Sequence, residues 1–151
     1  MRAVASAPGA GRKKTVSQKN KGYSLLVVDD NPWENQFTEM ILRDIPDVAG
    51  YRFFAAGWQA FNYLDVCRAG GTFPDVILVD LLIEDMTGFA WIEHFEREFR
   101  PAFPGCLVFV YSHSALESDR VKALGYSSVR AFLPKPLTPA TFDAHIRPLL
   151  P

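Results

Sequence analysis

At 151 residues, with 48% hydrophobic and 22% charged side chains, the chain has the size and balance of one globular domain, which excludes the disordered, fibrous and membrane-spanning classes. Cys67 and Cys106 form no CxxC pair, and His94, His113 and His145 are too scattered to place two rings on one helix face, so neither a disulfide scaffold nor a zinc enzyme is expected. The formal charge of -1 hides an asymmetry: Arg2, Arg12, Lys13, Lys14, Lys19 and Lys21 precede Tyr23 without an acid, which leaves ten basic against 17 acidic residues beyond it, a balance of -7.

Residues 1–22 lack aromatics and hydrophobic periodicity, so they read as a basic disordered tail that cannot offset its ordering entropy by burial. The GRKK cluster reads as a solubilising leader rather than a nucleic-acid handle, because no aromatics interleave to stack bases. Without the apolar core of a secretion signal, a cytoplasmic address is the default expectation. Beyond the tail, 23–151 is expected to form the domain. SLLVV (24–28), YRFFA (51–55), DVILV (75–79), LVFVY (107–111) and VRAFL (129–133) are short, largely apolar runs whose hydrophobicity is continuous rather than alternating, as strands covered on both faces require. Between them, Trp33, Phe37, Met40, Ile41 and Ile45 fall at helical intervals after Pro32, and Trp58, Phe61, Leu64 and Val66 mark a second helix that ends near Gly70 and Gly71. Phe89, Ile92, Phe95 and Phe99 mark a third, with Trp91, Glu93, Glu96, Arg97 and Glu98 on its solvated side. A fourth lies within 116–124, and a fifth within 138–150 with Thr138 as its N-cap. Five β-α units with right-handed crossovers predict an α/β fold, a doubly wound five-stranded parallel sheet.

In such a sheet, function sits at the carboxyl ends of the strands. The first strand ends in Asp29 and Asp30, the third in Asp80, the fourth in Ser112, and Lys135 follows the fifth. Singly, each is an ordinary cap, turn or surface residue. Together they bring carboxylates to one edge, where mutual repulsion is relieved by a hard cation with oxygen ligands, and Mg2+ is the natural occupant. A lysine and a hydroxyl facing the same pocket suit the oxygens of a phosphoryl group, with Asp80 as the nucleophile that forms an acyl phosphate.

These segments also carry a family resemblance. LLVVDDNP, PDVILVDLLIEDMTG with its glycine eight residues past Asp80, VFVYSHS and FLPKPL stand in the right order for the receiver domain of two-component response regulators, which the chain resembles over nearly all but its tail. The resemblance implies the flavodoxin-like strand order 2-1-3-4-5 and a Mg2+ site made by Asp29, Asp30, Asp80 and the backbone carbonyl of Leu82. It implies that Asp80 accepts phosphate from a histidine kinase or histidine phosphotransfer protein, that Ser112 and Lys135 hold the phosphoryl oxygens, and that Ser112 and Phe132 form the switch. With the fifth helix reaching the end of the chain, a single-domain regulator is expected, whose output is contact with an effector protein rather than with nucleic acid or membrane; a homodimer is compatible with that.

The chain departs from the family pattern at three places. Glu84 stands four residues past Asp80 where a proline is usual, Leu82 replaces a polar residue, and His113 takes a position generally held by a small one, where it either narrows entry, donates a hydrogen bond or turns to solvent. Two rival functions remain. One is a receiver-like scaffold that is not phosphorylated. The other is an aspartate-nucleophile phosphatase, which wants a general acid where Leu82 stands. Neither GxGxxG nor GxxxxGK[ST] follows the first strand, which sets dinucleotide and P-loop proteins aside.

Overall fold

Successive residues of strand β1 (Tyr23–Val28) enter different layers. Leu25 and Val27 pack with Leu42, Phe109 and Phe142, whereas Leu26 and Val28 pack with Ala60, Leu64, Trp91 and Ile92. A strand with a core on each side has no position to spare for a polar residue, which accounts for the unbroken apolar stretch from Leu25 to Val28. The same applies to β3 (Val76–Val79) and β4 (Leu107–Ser112), buried along their whole lengths. The computed structural model describes residues 22–151; the expected basic tail, but for Gly22, lies outside the described residues.

With β2 (Val48–Phe54) and β5 (Val129–Pro134) at the edges, the strand order is β2-β1-β3-β4-β5 and every pairing is parallel. This is the doubly wound order that the sequence led to. Helix α1 (Pro32–Arg43) and the segment starting with α5 (Pro139–Thr141) cover one face. Beyond α5 the chain continues as a π-helical turn, Phe142–Ile146, and a 3-10 turn, Arg147–Leu149. Helices α2 (Gly57–Gly70), α3 (Gly88–Glu98) and α4 (Glu117–Leu124) cover the other. Among the described residues, no helix is long and apolar enough to cross a membrane.

The helix ends follow local chemistry. Asn31 accepts from the amides of Trp33 and Glu34, with Pro32 in the first turn, and Thr138 caps α5 as expected. Helix α2 ends at Gly71 in the left-handed conformation, φ 81°, which a residue without Cβ adopts freely. Its start has no cap of its own. Instead Asp85, from the loop after β3, accepts from the amides of Gly57 at 2.7 Å and Trp58 at 3.1 Å.

Three helix faces differ from the sequence expectation. Trp33 is 78% exposed, and Phe37 and Met40 lie exposed beside it; α1 buries Thr38 and Leu42 instead. Thr38 is tolerated there because its hydroxyl meets the Tyr111 hydroxyl at 2.9 Å. On α2, Trp58 and Val66 are exposed, while Ala60, Leu64 and Cys67 face the sheet. Trp91, expected on the solvated side of α3, is wholly buried. Its ring stacks between Phe61 at 5.0 Å and Phe95 at 5.7 Å, and its Nε1 donates to the Gly57 carbonyl at 3.2 Å, which satisfies its polar atom. Two members of the charged run are also engaged: Glu93 accepts from the Tyr126 hydroxyl at 2.6 Å and Glu96 from the Ser128 amide at 2.7 Å.

Candidate functional site

Parallel pairing puts the ends of β1 and β3 side by side. The Asp29 amide donates to Phe54 and the Asp80 amide to Val28, so both acids leave the sheet at one level. The Lys135 amide donates to the Ser112 carbonyl at 3.2 Å, which carries the lysine from β5 across toward them. The Lys135–Pro136 bond is cis. Beneath the lysine, the Tyr111 hydroxyl accepts from the Leu137 amide at 2.9 Å, and the ammonium stands 5.3 Å from the Tyr111 ring centroid. Tyr111 and Thr38 thus fasten the loop that presents the lysine.

The loop after β3 is held as closely. Gly88 donates to the Leu81 carbonyl at 2.7 Å, and Leu82 bridges to Thr87 in an antiparallel pair. A Cβ at Gly88 would stand 2.2 Å from the carbonyl oxygen of Asp80. Only glycine allows α3 to start this close to the backbone of that aspartate.

At the centre, the Lys135 ammonium contacts Asp29 Oδ2, Glu34 Oε1 at 2.6 Å and Asp80 Oδ2 at 2.8 Å. Asp29 Oδ1 accepts from the Asn31 amide at 3.0 Å, and Asp80 Oδ1 from the Leu81 amide at 2.7 Å. Lys135 and Asp29 side chains are only 2% and 1% exposed. Burial pushes the Asp29 carboxyl up to about 6, although Lys135 and Asn31 pull it down. Burial would lower the Lys135 ammonium, but Asp29 first, with Asp80 and Glu34, overcomes it and holds the lysine above its ordinary value. Glu34 is held below its usual value: burial opposes this, and Lys135 followed by His113 outweighs it. The two directions at Asp29 and Lys135 agree physically. One ammonium shared among three carboxylates is well compensated itself and cannot compensate all of them.

The sequence pointed to Asp29, Asp30 and Asp80 as the converging acids. The structure brings together Asp29, Glu34 and Asp80, with one carboxylate oxygen of each within 4.8 Å of the others, and leaves Asp30 exposed at the rim. Glu34 went unread because an acid in the first turn of a helix is ordinarily there for the helix dipole. Its place five residues after Asp29, on the turn facing the strand ends, was the available signal. Ser112 is buried, and its Oγ accepts from the Ser114 amide at 3.1 Å. Phe132 is half-buried against the α3 side of the core. Leu82 is 74% exposed. His113 combines two of its three options: its side chain is 61% exposed, and its Nε2 lies against Glu34 Oε2.

No protein-family model matches this sequence, and no curated protein matches it. Solved structures do. The chain is 26% identical to a two-component response regulator from Cytophaga hutchinsonii, with a TM-score of 0.79 over 85% of this chain and 97% of that one. It is 20% identical to the chemotaxis response regulator CheY4 of Vibrio cholerae, TM-score 0.66, over 85% of this chain and 99% of that one. It is 19% identical to the Mn2+-bound form of response regulator Rcp1, TM-score 0.64, over 81% of this chain and 88% of that one. The resemblance read from the four sequence segments is met in three dimensions: the described domain has the receiver fold of response regulators.

Proposed function

We propose that this chain, built on the receiver fold, is a phosphorylation-dependent response regulator that takes a phosphoryl group from a histidine kinase or histidine phosphotransfer protein onto Asp80. The observation that carries this is the Lys135 ammonium set on both Asp29 and Asp80 at the carboxyl edge of the sheet. An Asp80 carboxylate oxygen forms a bond to phosphorus as the phosphorus–nitrogen bond of the donor phosphohistidine breaks; the donor imidazole leaves with the electron pair and takes up a proton. Lys135 supplies a point charge to the phosphoryl oxygens, and Ser112, whose Oγ accepts from Ser114, keeps its own hydrogen to donate to them.

The donor set fits a hard divalent cation. Three carboxylates against one ammonium leave two negative charges within a few ångströms, and all the ligands are oxygens. Asp29, Asp30 and Asp80 with the backbone carbonyl of Leu82 would hold Mg2+, which supplies neutralisation of charge on the transferring group. Movement of Ser112 toward the phosphoryl group leaves room for Phe132 to follow, and the surface made by α4, β5 and α5 then differs for an effector protein. The free thiols of Cys67 and Cys106 agree with a cytoplasmic setting.

The test is intact-mass analysis of the purified protein with acetyl phosphate or phosphoramidate. The expected result is one Mg2+-dependent phosphate on wild type, and none with EDTA or in Asp80→Asn. Wild type that stays unmodified with both small donors and with phosphorylated histidine donors would be a scaffold instead. Steady turnover of a small phosphoester, abolished by Asp80→Asn, would make it a phosphatase.

A further inference from the structure

Lys135 has three ammonium hydrogens, and the structure commits all three, to Asp29, Glu34 and Asp80. Acylation of Asp80 ends its own ion pair and frees one of those hydrogens, but it puts three strong acceptor oxygens and a negative charge of about two in place of a single charge. With two carboxylates still on the ammonium, the phosphoryl group gains a second donor only where one of them yields. Asp29 is 1% exposed, so releasing it would strand a buried charge. Glu34 is 26% exposed, sits on the first turn of α1, and has a second partner in His113. It can rehydrate at far smaller cost.

We propose that Glu34 is the resident stand-in for the phosphoryl group: its carboxylate occupies the Lys135 donor that a phosphoryl oxygen takes over, so it competes with acylation of Asp80 and is expelled by it. This rests on the phosphoacceptor reading of Asp80. Glu34 is thereby a positioning residue, acting through Lys135 and not on the reacting atoms. Because its other oxygen meets His113 on the loop after β4, expulsion also removes the side-chain link that joins Lys135, α1 and that loop. The acid makes the free site specific for something more negative than itself.

The test is binding of beryllofluoride, a noncovalent analogue of an aspartyl phosphate, in saturating Mg2+, followed by 19F NMR. The readout is occupancy, not turnover. Relative to wild type, Glu34→Ala is expected to bind about tenfold more tightly, as removal of one partly screened charge-assisted competitor should allow. Glu34→Gln, which keeps the size and a weaker acceptor, should shift the same way by a smaller factor. Glu84→Gln removes an exposed acid of the loop after β3 and should change affinity less than twofold, which separates direct competition from a general charge effect. Affinity that is unchanged or weaker in both Glu34 variants, with wild type binding normally, overturns the competition and leaves the phosphoacceptor reading intact. A shift in Glu84→Gln as large as in Glu34→Ala overturns it as well. Binding by Glu34→Ala alone supports it, and absence of binding by every variant and wild type overturns both readings.

Discussion

Asp29→Asn should make the metal-free protein more stable while removing its affinity for Mg2+. Lifting the Asp29 carboxyl from its ordinary 3.8 to about 6 means that keeping it ionised costs the fold about 3 kcal/mol at neutral pH. The side chain is 1% exposed, so solvent does little to reduce that figure. Breaking a buried ion pair usually costs about 3–5 kcal/mol because it strands the partner, but Lys135 keeps Glu34 and Asp80 and is not stranded. Allowing about 1 kcal/mol for a weakened hydrogen bond, Asp29→Asn should gain about 2 kcal/mol in urea unfolding at pH 7.5 with EDTA. Because the folded value is raised, the cost of Asp29 is full above about 6, shrinks as pH falls through 6 and is gone near 3.8; the advantage of the variant must follow that course. Mg2+ at a hundred times its dissociation constant would restore about 2.7 kcal/mol to wild type alone and reverse the order. A variant less stable than wild type at pH 7.5 in EDTA would refute the reasoning, since Lys135 would then outweigh burial.

Two further outcomes follow from contacts around the pocket. Gly88→Ala drives a methyl group to within 2.2 Å of the Asp80 carbonyl and should cost about 2–3 kcal/mol of stability, with slower phosphorylation of Asp80 by phosphoramidate, read by urea titration and intact mass. Tyr111→Phe leaves the buried Leu137 amide without its acceptor and should cost about 1–3 kcal/mol. Faster hydrogen exchange at Leu137, with Asp80 still phosphorylated, would mark that loss as local.

The central strands were legible because they are covered on both sides, which leaves a nearly unbroken apolar run; the edge strands β2 and β5 each carry an arginine and stood out only by their remaining apolar residues. The polar strand ends, Asp29, Asp80, Ser112 and Lys135, were legible because a break in an apolar run stands out. Helix faces were harder to read. On α1, Trp33, Phe37 and Met40 repeat at helical spacing as cleanly as a core stripe does, yet the buried stripe runs through a threonine whose partner, Tyr111, is 73 residues away. Trp91 looked solvated beside its charged neighbours because the aromatic stack that receives it is assembled from α2 and α3. Glu34 was hidden differently: apart from its place on the turn facing the strand ends, it resembles any helix-start acid until Lys135 arrives from the far end of the chain.

Asp85 gives the two walls of the pocket unequal freedom. The segment leaving Asp80 is wedged by Gly88 against the aspartate's own backbone and bolted by Asp85 to the first amides of α2, so any shift on that side would have to drag a whole helix. The opposite wall, from His113 to Leu116, is tied by small hydroxyl contacts through Ser112 and Ser114 and by the Glu34 contact to His113. A vice with one fixed jaw transmits its travel through the other, so under the proposed phosphorylation of Asp80 the displacement would reach the surface on the α4 side.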